Sequence, residues 1–266
     1  MSNGNWRSLA KQVERVETRL YVEESLQAGV TLGLDHARAH FLRSVLRLKR
    51  GARIAVFNGR DGEWAARLDA LGKGWASLVV GDRRRAQEPG PDLWLVFVPI
   101  KRARLDFLVE KAVELGVSRL QPAMTRHTAV SRVNQERLAA NAREAAEQCE
   151  RLSVPEVGEA RPLFDIMGDW PTERRLLVCS ERGAAEPLSV VLQTAAGCAQ
   201  APWAILVGPE GGFARSELDG LLKLPFVTPV GLGPRILRAD TAAIFALACW
   251  QAFLGDGATR PAMRET

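Results

Sequence analysis

The chain has 266 residues, room for one large domain or two and for a sizeable buried core. Its 47% hydrophobic and 25% charged residues are the balance of a soluble globular protein, which excludes fibrous and low-complexity architectures. A formal net charge of +5 is compatible with a polyanionic partner, although net charge bears on association and not on fold. Residues 1–17 read as a variable extension of mixed charge, and residues 1–20 contain no apolar secretory segment. The organised chain begins with a short strand over Arg19–Val22. Asp35 to Leu48 is predicted helical, with Phe41, Val45 and Leu48 as its apolar stripe and Arg43 and Arg47 one turn apart. Asp35 caps its start and Gly51 stops it.

Arg53–Phe57, the turn Asn58-Gly59-Arg60-Asp61-Gly62 and Glu63–Leu68 predict a hairpin. A further strand, Trp75 to Val80, runs into Gly81-Asp82-Arg83-Arg84-Arg85. Gln87-Glu88-Pro89-Gly90-Pro91 is a linker, which gives a small β-domain over residues 18–86 and a second domain over 89–266. Leu93–Val98 is a continuous apolar run, as in a strand buried on both faces of a parallel sheet. The helix after it carries Leu105, Leu108, Val109 and Ala112 on one side and ends at Gly116. Its Arg102, Asp106, Glu110 and Glu114 share another face, which Lys101, Arg104 and Lys111 can neutralise as a solvated ion-pair surface.

A polar loop, Arg126–Arg132, precedes an alanine-rich helix from Gln135 to Leu152. In that loop His127 is expected to meet RNA or solvent. Leu176–Cys179 is another strand with Glu181 just beyond it, and 183–200 is a variable connector. Ile205–Val207 and Phe226–Val230 are strands too, and Thr241–Leu254 is a helix too short for a bilayer and apolar on nearly every side. Such a helix is buried or covered by a partner subunit. Strands of buried type alternating with helices make this an α/β domain with a parallel sheet. The cysteines at 149, 179, 198 and 249 have neither metal-ligand nor redox spacing, so the expectation is reduced thiols in a cytoplasmic protein with no metal site.

Two glycine-bearing loops carry the chemistry. Leu206-Val207-Gly208-Pro209-Glu210-Gly211-Gly212-Phe213 ends one strand, and Leu232-Gly233-Pro234-Arg235-Ile236-Leu237-Arg238-Ala239-Asp240-Thr241-Ala242 follows the other. Gly211 and Gly212 admit dihedrals that a side chain forbids, and they let a ligand lie against bare amides. Neither loop is a dinucleotide fingerprint or a P-loop, since G-x-G-x-x-G and Gly-Lys-Ser/Thr are both missing. Together they resemble the SPOUT-class methyltransferases, and within that class the ribosomal RNA small subunit methyltransferase E family, which methylates N3 of a uridine in 16S rRNA. The likeness covers about residues 18–254 and includes Glu144-Ala145-Ala146-Glu147-Gln148-Cys149-Glu150-Arg151.

The resemblance implies a trefoil-knotted methyltransferase domain behind a PUA-like RNA-binding barrel, acting as a homodimer on rRNA or on an assembled 30S subunit. It implies S-adenosylmethionine (AdoMet) as methyl donor, held by Gly208, Glu210, Gly211, Gly212, Leu232 and Gly233 with Leu206, Ile236 and Leu237 against the adenine. Arg238 is the candidate cation opposite the uracil and Asp240 the candidate base, with a structural role for Arg235 and Arg238 as the alternative. The family has Glu where this chain has Asp240, a shorter reach, and a helix-capping Ser or Thr at Ala214, for which Ser216 is the substitute. Lys101 and Glu114 belong to a family signature and are kept as site candidates. Arg19, Arg43, Arg47 and Arg126 are the candidate RNA contacts, although a solvated basic face accounts for any one of them. The rival function is a non-catalytic RNA-binding or ribosome-assembly factor, against which the intact glycine loops argue.

Overall fold

The computed structural model describes residues 16–130, 132–180 and 185–259. Ser131, Glu181 and nearly all of the predicted extension 1–17 fall outside them. The described chain forms two compact units, one ending at Glu88 and the other spanning Pro89–Thr259.

In the first unit, strands β1 (Thr18–Tyr21), β2 (Thr31–Leu34), β3 (Arg53–Phe57), β4 (Glu63–Leu71) and β5 (Ala76–Arg85) make one sheet in the order β1-β3-β4-β5-β2. Only the β1–β3 pair is parallel. Alternation builds the core: Ala76, Leu78 and Val80 of β5 face inward onto Ile54, Val56 and Leu68. Helix α1 (His36–His40) starts at Asp35, whose side chain accepts the Arg38 N–H at 2.8 Å. It then widens into a π turn over Phe41–Val45, closed by the Leu46 N–H on the Phe41 carbonyl. The helix therefore stops short of Leu48, at a left-handed Arg47 with φ of 55°. Arg43 and Arg47 are not successive positions of one helix. Phe41 and Val45 are exposed, and Ala39, Leu42 and Leu46 make the apolar face instead, because the wider turn shifts the stripe.

The second unit holds a parallel sheet ordered β11-β13-β10-β12-β6-β7-β8, where β6 is Leu93–Phe97, β7 Arg119–Met124, β8 Glu156–Val157, β10 Arg175–Cys179, β11 Glu186–Pro187, β12 Trp203–Val207 and β13 Val227–Gly231. All five residues of β12 are buried, as a strand covered on both faces requires. The helices are α2 (Arg102–Glu114), α3 (Gln135–Gln148), α4 (Leu163–Gly168), α5 (Leu188–Thr194), α6 (Arg215–Leu221) and α7 (Ala239–Phe253). Gly116, at φ 80°, ends the chain's turn out of α2 as predicted. The connector expected over 183–200 contains β11 and α5.

Strand β7 escapes the hydrophobic pattern because Gln121 and Pro122 interrupt it. Both are accommodated by a break in the neighbouring edge: β8 pairs with residues 119–120 and a two-residue strand, β9 (Arg161–Pro162), with 123–124. Gln121 bridges the gap by donating to the Glu159 carbonyl at 2.7 Å, and Pro122 falls in the break between β8 and β9 while staying in register with Phe97 of β6. Gly158 is required here, since a Cβ would stand 2.1 Å from the Gln121 oxygen.

Candidate functional site

Strands β10, β12 and β13 lie side by side and parallel, so their carboxyl ends open on one edge of the sheet. A cavity of about 180 Å³ sits there, walled by Gly208–Phe213 after β12 and by Leu232–Leu237 after β13. Cys179 and Ser180 close it from β10, and Ala239 and Ala242 from the first turns of α7. Folding thus brings the two glycine-rich loops, separated in sequence by α6 and β13, onto one space.

The first loop is a tight turn in which the Gly212 N–H donates to the Pro209 carbonyl at 2.8 Å. Gly212 has φ of 66° and Gly233 φ of 95°, and nothing stands within 4 Å of where either Cβ would be. Those two glycines are set by conformation, and the space above them stays open to a ligand. Gly211 is different from expectation. Its φ is not left-handed, and a Cβ there would make an ordinary 3.5 Å contact with His127. Gly208 is set by packing, because the Phe213 ring lies 3.0 Å from its would-be Cβ.

The loop is strapped from outside by the turn Thr125–Thr128. His127 Nδ1 lies 3.0 Å from the Gly212 carbonyl oxygen. An acceptor there demands a proton on Nδ1, so this histidine holds the loop rather than only facing solvent or RNA. Glu217 on α6 fastens the same two segments: one oxygen accepts the Arg126 N–H at 2.8 Å, the other the Ala214 N–H at 2.9 Å. The alanine at the cap position is thereby compensated by the reaching-back half of a capping box, and Ser216 plays no such part.

Of the predicted donor contacts, Gly208, Glu210, Gly211, Gly212, Leu232, Gly233, Ile236 and Leu237 line the cavity. Leu206 does not: it is fully buried beside Val178 and Ala204 in the core beneath, and Val207 takes the lining position. Ile236 is 87% exposed, an apolar side chain held out in solvent at the rim. Arg238 and Asp240 are not in the wall, although Leu237 and Ala239 on either side of Arg238 are. Arg238 is exposed at the start of α7, and Asp240 accepts the Thr241 N–H at 2.9 Å. Lys101 and Glu114 also lie outside the cavity wall, and Glu114 is paired with Lys111 at 2.7 Å. Among the RNA candidates, Arg43, Arg47 and Arg126 are exposed. Arg19 is not available: its side chain is 10% exposed, bound to the buried Glu63 at 2.7 Å and stacked 4.4 Å over Phe57. Its charge is spent on an ion pair inside the first unit.

Sequence reasoning missed Cys179, Ser180, Phe213 and Leu218 as wall residues. The signal for Cys179 and Ser180 was their place at a strand's carboxyl end, but which strand lies between β12 and β13 is set by the sheet order alone. Burial pushes the Cys179 thiol up to about 12, so it stays protonated and serves as a neutral wall. No metal-binding cluster occurs among the described residues. Open backbone over Gly212 and Gly233, apolar walls at Val207, Leu232 and Ala242, and the Glu210 side chain suit a ligand that pairs a flat apolar ring with a cationic centre.

The fold and this cavity define a SPOUT-type α/β RNA methyltransferase with a PUA-like domain before it. Residues 87–251 match the RNA methyltransferase domain family and residues 34–80 the RNA methyltransferase PUA domain. A ribosomal RNA small subunit methyltransferase E of Rickettsia conorii is 32% identical over 232 residues, 86% of this chain and 93% of that protein. One from Synechocystis is 34% identical over 239 residues, covering 87% and 76% respectively. A crystal structure of the Neisseria gonorrhoeae protein of that name, bound to S-adenosyl methionine, superimposes with a TM-score of 0.79 at 28% identity over 90% of this chain and 98% of the other. The chain belongs to the ribosomal RNA small subunit methyltransferase E family.

Proposed function

We propose that this chain, an AdoMet-dependent rRNA methyltransferase, methylates N3 of one specific uridine in 16S rRNA. The observation that carries the reading is the convergence of both glycine-bearing loops on one cavity at the carboxyl ends of β12 and β13. Bound there, AdoMet supplies an electrophilic methyl group on its sulfonium. The chain's own work is to hold the donor against bare loop backbone, to orient a uracil at the rim, and to manage the N3 proton. Arg238, which emerges between two wall residues, stabilises the negative charge that grows as N3 loses its proton. Asp240, one residue further along in the first turn of α7, is the candidate base.

The partner surface follows from α7. One face is buried, while Phe245, Ala248, Ala252 and Phe253 are exposed, a stripe that a second copy of the chain would cover in a homodimer. The substrate in this reading is rRNA or the assembled 30S subunit, and the reaction is a cytoplasmic one.

Mass mapping of 16S rRNA from a strain lacking the chain tests the assignment: one N3-methyluridine should vanish and return on complementation. Unchanged methylation would refute it. Single-turnover methylation by R238A should fall on the order of a hundredfold with donor affinity retained. Normal turnover in R238A would remove Arg238 from the chemistry and leave the methyltransferase reading standing. Calorimetric titration with AdoMet separates this reading from a non-catalytic RNA-binding factor, which would show no binding.

A further inference from the structure

The β4–β5 turn of the first unit presents an aromatic side chain in a way no packing need explains. Trp75 is 54% exposed, yet it is held in place. Its five-membered ring rests on Gly72, where a Cβ would come within 2.2 Å of the indole nitrogen. The turn beneath it is closed by the Gly72 N–H on the Trp75 carbonyl at 2.9 Å. Gly74 has φ of 89° and lies against His36 of α1, so the turn is anchored on the helix as well. Arg43 reaches the Gly72 carbonyl at 3.4 Å, which puts a guanidinium beside the ring's support.

Lys73 in this turn and Arg43 against it are exposed cations, and Arg47 and Lys49 are exposed in the segment that leaves α1; Arg47, Lys49 and Lys73 form no ion pair with the described residues. A large exposed aromatic fixed among unpaired cations fits a single-stranded polyanion whose rings can stack. A protein partner of comparable chemistry would need to be acidic and to offer an apolar cover, and nothing on this face calls for that.

We propose that Trp75 is a stacking platform for an unpaired RNA base, with Arg43, Arg47 and Lys73 neutralising the phosphates on either side of it. This rests on the rRNA methyltransferase reading and adds to it a base contact outside the methyl-transfer cavity. The indole supplies sequence-tolerant stacking, and the cations supply the salt-dependent part of the affinity.

The test is equilibrium binding of the full chain to a fluorescein-labelled 16-nucleotide single-stranded RNA and to an RNA duplex of the same length. W75A should weaken the single-stranded complex about ten- to a hundredfold, with little change for the duplex, whose bases are already stacked. W75F should keep most of the affinity. The salt dependence of binding should be unchanged in W75A, whereas R43A should lower its slope by about 0.7. AdoMet affinity should be unaltered in all three variants. W75L, apolar but without a stacking face, carries the same comparison if W75A folds poorly. Wild-type RNA affinity in W75A and W75L overturns the proposal, as does equal loss in W75F and W75A, or equal loss on duplex and single strand. Loss of association with the 30S subunit while single-stranded RNA binding stays at wild type overturns it as well. None of these outcomes touches the methylation test, so the two readings fail separately.

Discussion

The two ends of the second unit's parallel sheet are built on opposite plans. At the amino ends of β6, β10 and β12, side chains fasten the backbone. Arg174, its side chain only 8% exposed, grips Asp92 with two nitrogens at 2.8 and 2.9 Å, donates to the Trp203 carbonyl at 3.0 Å and stacks 3.8 Å over Trp94. Trp94 and Phe226 bracket Trp170, which in turn donates to the Arg174 carbonyl at 2.9 Å. At the carboxyl ends the walls are glycine turns, with open space where side chains would stand at Gly212 and Gly233. One end spends its polar groups on itself; the other leaves backbone amides for a ligand.

That contrast is open to direct attack, and the largest effect is expected at the fastened end. Arg174→Ala leaves the Asp92 carboxylate without its partner and removes the cation from Trp94. The expected cost is about 2–3 kcal/mol, discounted from a fully buried pair because Asp92 remains half exposed. Denaturant unfolding should register that loss while AdoMet affinity of the folded protein stays near wild type. A stable variant with a ruined donor site would mean that the two ends are not separate devices.

At the open end, Gly212→Val forces a branched side chain to φ 66°, and donor affinity should drop about ten- to a hundredfold, while the strain itself costs about 1–3 kcal/mol of stability in denaturant unfolding. Gly211→Ala is the sharpening control, because its Cβ meets only an ordinary contact with His127. Equal damage from both would show that space, not dihedral, governs the turn.

Glu217→Ala orphans the Arg126 and Ala214 N–H groups together, and a loss of about tenfold in donor affinity is expected, with kcat less affected than KM. His127→Ala removes the single bond to the Gly212 carbonyl and should weaken donor binding only a few-fold. A collapse of kcat in His127→Ala, with KM intact, would move that histidine from the strap into the chemistry.

The smallest expected signal is from Cys179. Its thiol is raised from 9.0 to about 12 in the folded protein, so below pH 9 folded and unfolded chains are both protonated there and no pH dependence arises. Between pH 9 and about 12 only the unfolded chain ionises, so stability falls as pH rises across that window, and Cys179→Ala should remove that part. At pH 8 the buried thiol should resist labelling by a disulfide reagent until the protein unfolds.

The sequence by itself determined the buried strands β6, β10 and β12, the helix α2, and both glycine-bearing loops, because hydrophobic period and glycine placement are local properties of the chain; β7, β11 and α5 escaped it. It also determined the family, since Gly208–Phe213 and Arg235–Ala242 are contiguous motifs. What only the tertiary structure decided was adjacency. Sheet order put Cys179 and Ser180 between the two loops, strand register turned Leu206 into the core and Val207 to the cavity, and Glu217 met Arg126 across 91 positions. The same holds for Arg19, a candidate RNA contact by sequence that the fold pairs with the buried Glu63, and for the π turn that rotated Phe41 and Val45 outward. Such pairings join residues that no local period connects, and they exist only once the core has fixed which elements lie side by side.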